Sequence, residues 1–331
     1  MKKIIQYTGL ASLLLFLVAA LCFLYLNRGL PHEITPAQFT CLSLEDGDFV
    51  SFDTLPRQIY GIGLSYAGHI NETASSFDPA ADPPVFRKAL GSIAHEQSKV
   101  PIPSHTELVQ AVDQLEPGLA QRINASNKPL PALMDYEVEL GFVLLEDIDL
   151  QSLNQADYVP KIGFFITNDL SARSLAVLGE GQPNRHDYWG VSKSFQGFTP
   201  VSQQVWVPRE FQADAIPCIS LQTTVNGAIR QKQKTSDMIY TPLQMLQAVQ
   251  RKYPATPLKK GDWVLMGTPG GVVMSTPRWI VRVADMMQMD RFEKLKHKTG
   301  ESDIAEFLQQ GDKVVSSGEG LGKVTVEIIS Q

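Results

Sequence analysis

The sequence predicts a β-rich domain in which short helices connect the strands, behind a single N-terminal membrane helix. Apolar runs of strand length at 59–64, 141–145 and 162–167 favour strands, because strands buried on both faces read as continuous apolar runs. Asn226-Gly227 follows a strand-like segment and is a strong hairpin signal. The chain has 331 residues, 44% of them hydrophobic, which suffices for one large domain or two small ones.

Charge and cysteine content exclude two classes of function. The net charge is −6 and the pI is about 5.6, so nothing favours binding to nucleic acid. The three cysteines, Cys22, Cys41 and Cys218, are far apart in the sequence and fit neither a zinc site nor a redox pair. Cys41 and Cys218 can form a disulfide only if the domain is exported and the geometry allows it.

The N-terminal segment 1–30 is predicted to be a membrane anchor. Its apolar run at about 9–26 is long enough to cross a bilayer as one helix. A cleaved signal peptide is the alternative, because Ala19-Ala20 offers small residues for cleavage. The apolar residues at 23–26 continue the run without a break and favour an uncleaved anchor.

The orientation of this helix follows from its flanking charges. Lys2, Lys3 and the amino terminus outnumber Arg28, which predicts a cytoplasmic N-terminus and an extracytoplasmic bulk of the chain. We expect residues 31–56 to form a tether and N-terminal strands, and residues 57–331 to form the catalytic domain.

An alternation of acidic and apolar residues at 135–140 organises the chain. In a strand, Asp135, Glu137 and Glu139 share one face. Like charges on a partly buried face repel one another and resist desolvation, so a compensating divalent cation is expected there. An all-carboxylate site suits Mg²⁺, Mn²⁺ or Ca²⁺ rather than Zn²⁺. The alternative is a strand face on which the acids point into water.

Three further features carry polar side chains in chemically useful places, and each has an alternative. His69 and Glu72 share a helix face if their segment is helical. They would then form either a general base with its orienting carboxylate or a surface ion pair. Asp169 follows a strand of buried type, where it could be either a ligand carboxylate or a helix N-cap. Lys193 lies among apolar residues. It is either a cation directed into a pocket or a surface residue whose ammonium group reaches the solvent.

Taken together in their order, these motifs resemble those of the fumarylacetoacetate hydrolase family, over roughly residues 57–330. Each motif alone is weak, but their joint occurrence in order is specific. The matching segments are 66–72, 135–140, 167–173, 192–195, 224–227, 237–240, 261–269 and 311–312.

The resemblance implies a β-rich α+β fold, built as a mixed β-sandwich roll, and a homodimer. It also implies three groups of site residues. The metal ligands would be Glu137, Glu139 and Asp169, the catalytic groups His69, Glu72 and Lys193, and the substrate-binding residues Tyr66 and Thr268.

By the same resemblance, the chain would be a metal-dependent hydrolase that cleaves a C–C bond in a diketo acid or acylpyruvate-type substrate through a metal-bound enolate. Mg²⁺ would be the cofactor, with Mn²⁺ or Ca²⁺ as alternatives. An isomerase, hydratase or decarboxylase of a related 2-keto acid would share the same enolate. A catalytically silent binding protein of the same fold is the third possibility.

The sequence departs from the family pattern in several places. Leu64-Ser65 replaces the Arg-Asn that many relatives carry before Tyr66, so a substrate carboxylate loses a partner. The segments 104–130 and 275–302 are longer than the family pattern predicts. The second of them either covers the pocket as a lid, docks on the membrane or a dimer partner, or packs against the flank of its own domain.

Overall fold

The structure of the protein, a computed structural model, confirms the β-rich mixed fold. It describes residues 34–52, 55–73, 78, 81–126, 128–155, 157–275, 278–299 and 304–331.

Eighteen strands are found in the described part of the chain. They are β1 Thr40–Leu42, β2 Gly47–Ser51, β3 Ile59–Ile62, β4 Val85–Lys88, β5 Ile93–Ala94, β6 Gln97–Pro101, β7 Met134–Asp135, β8 Val138–Leu144, β9 Ile162–Asn168, β10 Ser171–Ala172, β11 Thr199–Pro200, β12 Gln204–Pro208, β13 Ala215–Pro217, β14 Ser220–Val225, β15 Ala228–Lys234, β16 Trp263–Leu265, β17 Lys313–Gly318 and β18 Gly322–Ile329.

Eight α-helices connect these strands within the same described ranges. They are α1 Ala67–Glu72, α2 His105–Leu115, α3 Leu119–Asn124, α4 Arg173–Leu178, α5 Arg185–Ser192, α6 Pro242–Lys252, α7 Arg278–Met286 and α8 Arg291–Lys298. Side-chain capping boxes begin α2 at Ser104, α6 at Thr241 and α8 at Asp290.

Two sheets pack face to face. The larger has the strand order β2-β12-β9-β8-β16-β3-β4, and the smaller has the order β15-β14-β17-β18-β6. Every residue of β8 and β9 is buried, which explains why both strands read as continuous apolar runs. Val138, Ile166 and Leu221 belong to the apolar cluster between the sheets. The polar side chains at the ends of β8 and β9 are therefore held at the edge of a rigid core.

The two segments that are longer than the family pattern pack against each other on the flank of the domain. Arg291 of α8 forms an ion pair with Glu116, just beyond α2, at 2.5 Å, and also donates to the Leu178 carbonyl at the end of α4 at 3.2 Å. The guanidinium carbon of Arg122 on α3 lies 4.4 Å from the centre of the Phe292 ring on α8. Among the three alternatives for 275–302, these contacts favour packing on the domain's own flank.

A disulfide between Cys41 and Cys218 fixes the first strand of the chain to the domain. β1 pairs in parallel with β13, with Cys41 opposite Ile216, and Cys218 follows β13 directly. The bridge closes a loop with a sequence separation of 177 residues. A long closed loop restricts the unfolded chain strongly, so this bridge is expected to stabilise the fold.

The predicted N-terminal transmembrane helix is corrected by the structure. Within the described ranges, no helix has the length and apolar character needed to cross a membrane. The two longest described helices, α2 and α6, have 11 residues each, whereas a bilayer span needs about 20. Residues 1–30, for which the anchor was predicted, lie outside the described residues. The structure thus gives no support to membrane attachment or to the extracytoplasmic placement inferred from it.

Removing the disulfide should destabilise the protein substantially. We expect Cys41→Ser to lower the free energy of unfolding by about 3–5 kcal/mol, because the unfolded chain regains the freedom of a long loop. Urea unfolding under non-reducing conditions measures this loss. Cys22→Ser is the matched control and should unfold like the wild type. Equal midpoints for Cys41→Ser and the wild type would contradict the stabilising role of the bridge.

Candidate metal centre and active site

The acidic segment supplies three buried carboxylates. The predicted single strand is interrupted: Asp135 ends β7, which pairs with β10, and β8 begins only at Val138. Asp135, Glu137 and Glu139 are 0%, 4% and 2% exposed. The alternative of a water-facing strand face is therefore excluded, and each carboxylate needs a compensating partner inside the protein.

The fourth carboxylate, Asp169, comes from the end of β9. β8 and β9 run antiparallel with Val138 opposite Asn168, so the start of one strand lies beside the end of the other. The Asp169 N–H donates to the Glu137 carbonyl at 2.8 Å, and the Glu137 N–H donates to the Asn168 side chain at 2.9 Å. These bonds bring Glu137, Glu139 and Asp169 together, with one oxygen from each within 4.8 Å of the others.

Three buried cations lie among these carboxylates. Lys193 bridges Glu137 at 2.5 Å and Asp169 at 2.7 Å. Lys88 binds the other oxygen of Asp169 and donates to the Phe198 carbonyl at 3.0 Å.

Arg173 is the third of these cations. It begins α4 and pairs with Asp135 at 2.8 Å and with Glu137 at 2.5 Å. Asp135 also accepts hydrogen bonds from the N–H groups of Val273 and Met274. Asp135 is therefore saturated by protein donors, whereas the three other carboxylates form the cluster that can hold an ion.

The pKa values show where negative charge is poorly compensated. Burial alone would raise the pKa of Glu137, but the charges of Arg173 and Lys193 outweigh it and lower this pKa to about 2. Burial raises the pKa of Glu139 well above its ordinary value, and the nearby charges of Asp169 and Glu137 raise it further. The main protein donor to Glu139 is the Gly267 N–H at 2.7 Å. Glu139 is thus the carboxylate that most needs a cation.

The arrangement fits a hard divalent cation. Oxygens that share one Mg²⁺ at about 2.1 Å lie about 3–4 Å apart, so the three carboxylates need to approach one another only slightly. All three donors are carboxylate oxygens, the ligand type that Mg²⁺, Mn²⁺ and Ca²⁺ prefer. With every group ionised, four carboxylates and three cations have a net charge of −1, which a divalent cation would change to +1. Glu137, Glu139 and Asp169 would hold the ion.

His69 and Glu72 lie on α1, as the helical spacing predicts. His69 is 7% exposed, and its Nδ1 has no hydrogen-bond partner among the described residues. Burial, and then the charges of Arg173 and Lys193, lower its pKa to about 4 against the opposing effect of Glu137. His69 is therefore neutral near pH 7 and available as a base.

Glu72 uses its two oxygens differently from the expected dyad. They accept hydrogen bonds from the N–H groups of Gly271 at 2.7 Å and Val272 at 3.0 Å. This contact fastens α1 to the glycine-rich segment after β16. The predicted contact between His69 and Glu72 is not a hydrogen bond in this conformation, so their pairing as a base dyad stays a prediction.

The two predicted substrate-binding residues are both buried beside the carboxylates. Tyr66 precedes α1, is fully buried, and its hydroxyl has no hydrogen-bond partner within the described part of the chain. Burial raises the pKa of Tyr66 well above its ordinary value, and the charge of Glu139 adds to this. Thr268 donates its hydroxyl hydrogen to the Val138 carbonyl at 3.0 Å, so its side chain can only accept from a ligand.

An open depression with a volume of about 480 Å³ lies where the end of α1 meets the segment after β16. It is lined by Asn71, Glu72, Gly271, Val272 and Ser275. The helix that borders this depression is the one that carries His69.

Comparison with protein families decides the class of this chain. The model of the fumarylacetoacetate (FAA) hydrolase C-terminal domain matches residues 58–329. The chain belongs to the fumarylacetoacetate hydrolase family. This match confirms the resemblance inferred from the motifs. It covers the whole carboxylate cluster and every strand of the two packed sheets except β2.

Two curated relatives of this chain are named for the reactions that they catalyse. The mitochondrial oxaloacetate decarboxylase of Dictyostelium discoideum is 27% identical over 229 residues, which are 68% of this chain and 87% of that protein. Oxaloacetate tautomerase YisK of Bacillus subtilis is 26% identical over 234 residues, which are 70% of this chain and 65% of that protein. Family membership therefore indicates an enzyme, but these relatives carry out different reactions.

A solved structure shows the same fold. Fumarylpyruvate hydrolase from Pseudomonas aeruginosa, crystallised in complex with Mn²⁺ and pyruvate, is similar with a TM-score of 0.53 and 17% sequence identity. The match covers 91% of this chain and 99% of that protein. At this level of identity the likeness establishes the fold of this family member and nothing finer.

Sequence reasoning missed the roles of Lys88, Arg173 and Asp135. Lys88 ends the short strand β4, which also contains Arg87, so nothing in the local sequence marks Lys88 as a buried residue. Arg173 stands four residues after Asp169, within a quoted motif, but nothing in the sequence indicated that it pairs with Asp135 and Glu137. Their partners lie 81 and 38 residues away, beyond the reach of local patterns.

Removing the Arg173 charge should destabilise the domain strongly. Arg173→Met leaves Asp135 and Glu137 buried without their guanidinium, so we expect a loss of about 3–5 kcal/mol in the free energy of unfolding. Urea unfolding of the metal-free protein measures it. The matched control is Arg209→Met, which breaks an exposed pair with Asp48 and should leave the midpoint almost unchanged. Equal effects of both substitutions would show that Arg173 does not compensate the buried charges of Asp135 and Glu137.

His69 should make stability depend on pH. The pKa of His69 is lowered from 6.5 to about 4, so the unfolded state binds more protons in this range and stability falls as the pH falls. Between pH 7.5 and pH 5 this group should cost about 2 kcal/mol.

The test compares unfolding free energies of metal-free wild type and His69→Gln at the two pH values. The His69→Gln variant should lose less stability on acidification, whereas His95→Gln, at an exposed histidine, should behave like the wild type. Parallel pH profiles for the wild type and His69→Gln would show that His69 is not held neutral by burial.

Proposed function

We propose that the protein is a metal-dependent enzyme that cleaves a C–C bond in a diketo acid or acylpyruvate-type substrate. The observation that carries this proposal is the convergence of Glu137, Glu139 and Asp169 within 4.8 Å, beside the buried side chains of Lys193 and His69. A fold-preserving binding protein without activity has no need of a buried, neutral histidine beside these charges.

A bound divalent cation, Mg²⁺ as our first choice and Mn²⁺ or Ca²⁺ as alternatives, would polarise the substrate's carbonyl oxygens and change the net charge of the cluster from negative to positive. The cluster would then attract a carboxylate. This supports a small keto acid anion as the substrate class.

The ammonium group of Lys193 is placed to stabilise negative charge on the substrate. In this conformation its ammonium group bridges Glu137 and Asp169, so it already lies where an anionic oxygen would be stabilised. A buried ammonium in a water-poor site stabilises negative charge more strongly than an exposed one. We therefore assign Lys193 to the negative charge that develops on the substrate oxygens as the C–C bond breaks.

His69 is assigned as the general base. Its free Nδ1 can take a proton from a water molecule, whose oxygen then attacks the acyl carbonyl. The C–C bond breaks with its electron pair passing to the keto acid fragment, and the proton held by His69 returns to that fragment. Glu72 fastens α1 to the segment at 271–272 and so holds His69 over the cluster.

A second candidate function is decarboxylation or tautomerisation of oxaloacetate. It is favoured by the two named relatives at 26–27% identity, a mitochondrial oxaloacetate decarboxylase and an oxaloacetate tautomerase. Both reactions need a stabilised enolate and a proton transfer, which the same residues provide, so the reactions must be separated by assay.

We predict that the purified protein with Mg²⁺ or Mn²⁺ releases pyruvate from acetylpyruvate, measured with lactate dehydrogenase and NADH. His69→Gln should lower kcat/KM by about 10²–10⁴-fold through the loss of the general base. Glu137→Gln should also be impaired, through weaker metal binding. His95→Gln is the matched control and should keep wild-type activity.

Oxaloacetate is assayed in parallel, by pyruvate formation and by the absorbance of its enol. Turnover of oxaloacetate without turnover of acetylpyruvate would replace the hydrolase by the second candidate. Absence of turnover of both substrates at every metal tested would contradict the proposed function.

A further inference from the structure

Gln231, on β15 of the smaller sheet, is fully buried and reaches across to the larger sheet. It is 1% exposed, and neither its position nor its residue type marks it in the sequence. Its amide oxygen accepts from the Val138 N–H at 3.1 Å and from the Thr223 hydroxyl at 2.9 Å. Its amide nitrogen donates to the Thr268 hydroxyl at 2.9 Å and to the Pro269 carbonyl at 3.0 Å.

These partners fix the orientation of the amide. The Val138 N–H can only donate, and the Pro269 carbonyl can only accept, so the oxygen and the nitrogen of Gln231 cannot be exchanged. All four hydrogen-bonding positions of the amide are used. A buried amide satisfied in this way is held in one orientation, and it holds its partners equally firmly.

Val138 is the residue between the metal-ligand candidates Glu137 and Glu139. Its N–H is held by Gln231, and its carbonyl accepts from Thr268 at 3.0 Å, whose hydroxyl is in turn held by Gln231. Both peptide groups that flank Val138 are therefore fixed by one side-chain pair. The backbone positions from which Glu137 and Glu139 project depend on this pair.

The inward direction of Gln231 is built into β15 by a β-bulge. Thr223 pairs with Gln231, but Thr224 pairs with Ile229, so Arg230 is an extra residue in the strand. Bulges redirect the side chains next to them. Gly271 lies against this bulge: a Cβ at that glycine would lie 2.3 Å from the Arg230 carbonyl oxygen. The bulge thus also contacts the segment that receives Glu72.

The hydroxyl network continues on the far side of Gln231. The Thr223 hydroxyl donates to Gln231 and lies 3.1 Å from the Ser316 hydroxyl on β17, which must then donate to Thr223. Thr223 and Ser316 are fully buried. The position of Gln231 is therefore fixed by the core of the smaller sheet, independently of its hydrogen bond to β8.

We infer that Gln231 is a positioning residue for the metal site: anchored in the smaller sheet, it fixes the Val138 peptide groups and so the relative placement of Glu137 and Glu139. This inference rests on the proposed function, because it concerns how the proposed ion is held. Residues that orient metal ligands from outside the ligand set typically contribute about 10- to 100-fold to metal affinity.

The test measures Mn²⁺ affinity by isothermal titration on folded, metal-free protein, with thermal unfolding recorded for every variant. Gln231→Leu, which removes all four hydrogen bonds, should bind Mn²⁺ about 10- to 100-fold more weakly than the wild type. Thr268→Val removes the second member of the pair, and it should weaken binding in the same direction. The double variant should lose less affinity than the two single losses combined, since both act through Val138.

Thr235→Val is the matched control. Thr235 is fully buried and lies just beyond the same strand, but its hydroxyl bonds to the Pro217 carbonyl and the Ile219 N–H instead of β8. It should lower the unfolding temperature and leave Mn²⁺ affinity at the wild-type value. This separates a positioning role from a general loss of stability.

The outcomes distinguish this inference from the proposed function. If the wild type binds Mn²⁺ and Gln231→Leu binds it equally well, the inference fails and the proposed function stands. Equal weakening in Gln231→Leu and Thr235→Val would also overturn the inference. If Gln231→Leu does not fold, Thr268→Val decides in the same way. A wild type that does not bind Mn²⁺, Mg²⁺ or Ca²⁺ would overturn both.

Discussion

Four carboxylates and three cations are buried together where β8 begins and β9 ends, and the chemistry of the site follows from how they compensate one another. A carboxylate removed from water is stable only with a nearby positive charge or several hydrogen-bond donors. Asp135 has both, through Arg173 and two backbone N–H groups. Glu139 is the exception: burial, and then the charges of Asp169 and Glu137, raise the pKa of its carboxyl group well above the ordinary value.

Each compensating group comes from a different part of the fold. Lys88 comes from β4, Arg173 from the start of α4, and Lys193 from the residue after α5. The four consecutive N–H groups at 271–274 donate to Glu72 and Asp135, so the end of α1 and the end of β7 are fastened to the same short segment. The packing of two sheets and several helices is thereby tied to one arrangement of charges.

Local patterns in the sequence predicted much of the site. The alternation at 135–140 placed Glu137 and Glu139 together, and the end of a buried strand marked Asp169. The same patterns did not predict the break at 136–137, because Asp135 pairs with Ser171 in a separate small sheet and this depends on tertiary contacts. The helical spacing placed His69 and Glu72 on α1, but Glu72 accepts hydrogen bonds from N–H groups about 200 residues further along the chain.

The membrane anchor is a prediction from a local pattern that the structure does not support. An apolar run at 9–26 satisfies a length criterion, but no described helix supports that prediction. The long-range contacts of Lys88, Gln231 and the Cys41–Cys218 bridge have no local signature at all, since each joins residues more than 80 positions apart. Such contacts become visible only once the order of the strands is known.

The most direct test of this account is the position of the ion itself. A crystal of the protein soaked in Mn²⁺ and measured at a wavelength where manganese scatters anomalously would locate it. We expect one strong peak bounded by the carboxylates of Glu137, Glu139 and Asp169, with the Lys193 ammonium displaced from its bridge. A peak at any other place, or no peak with Lys193 still bridging Glu137 and Asp169, would contradict the central claim.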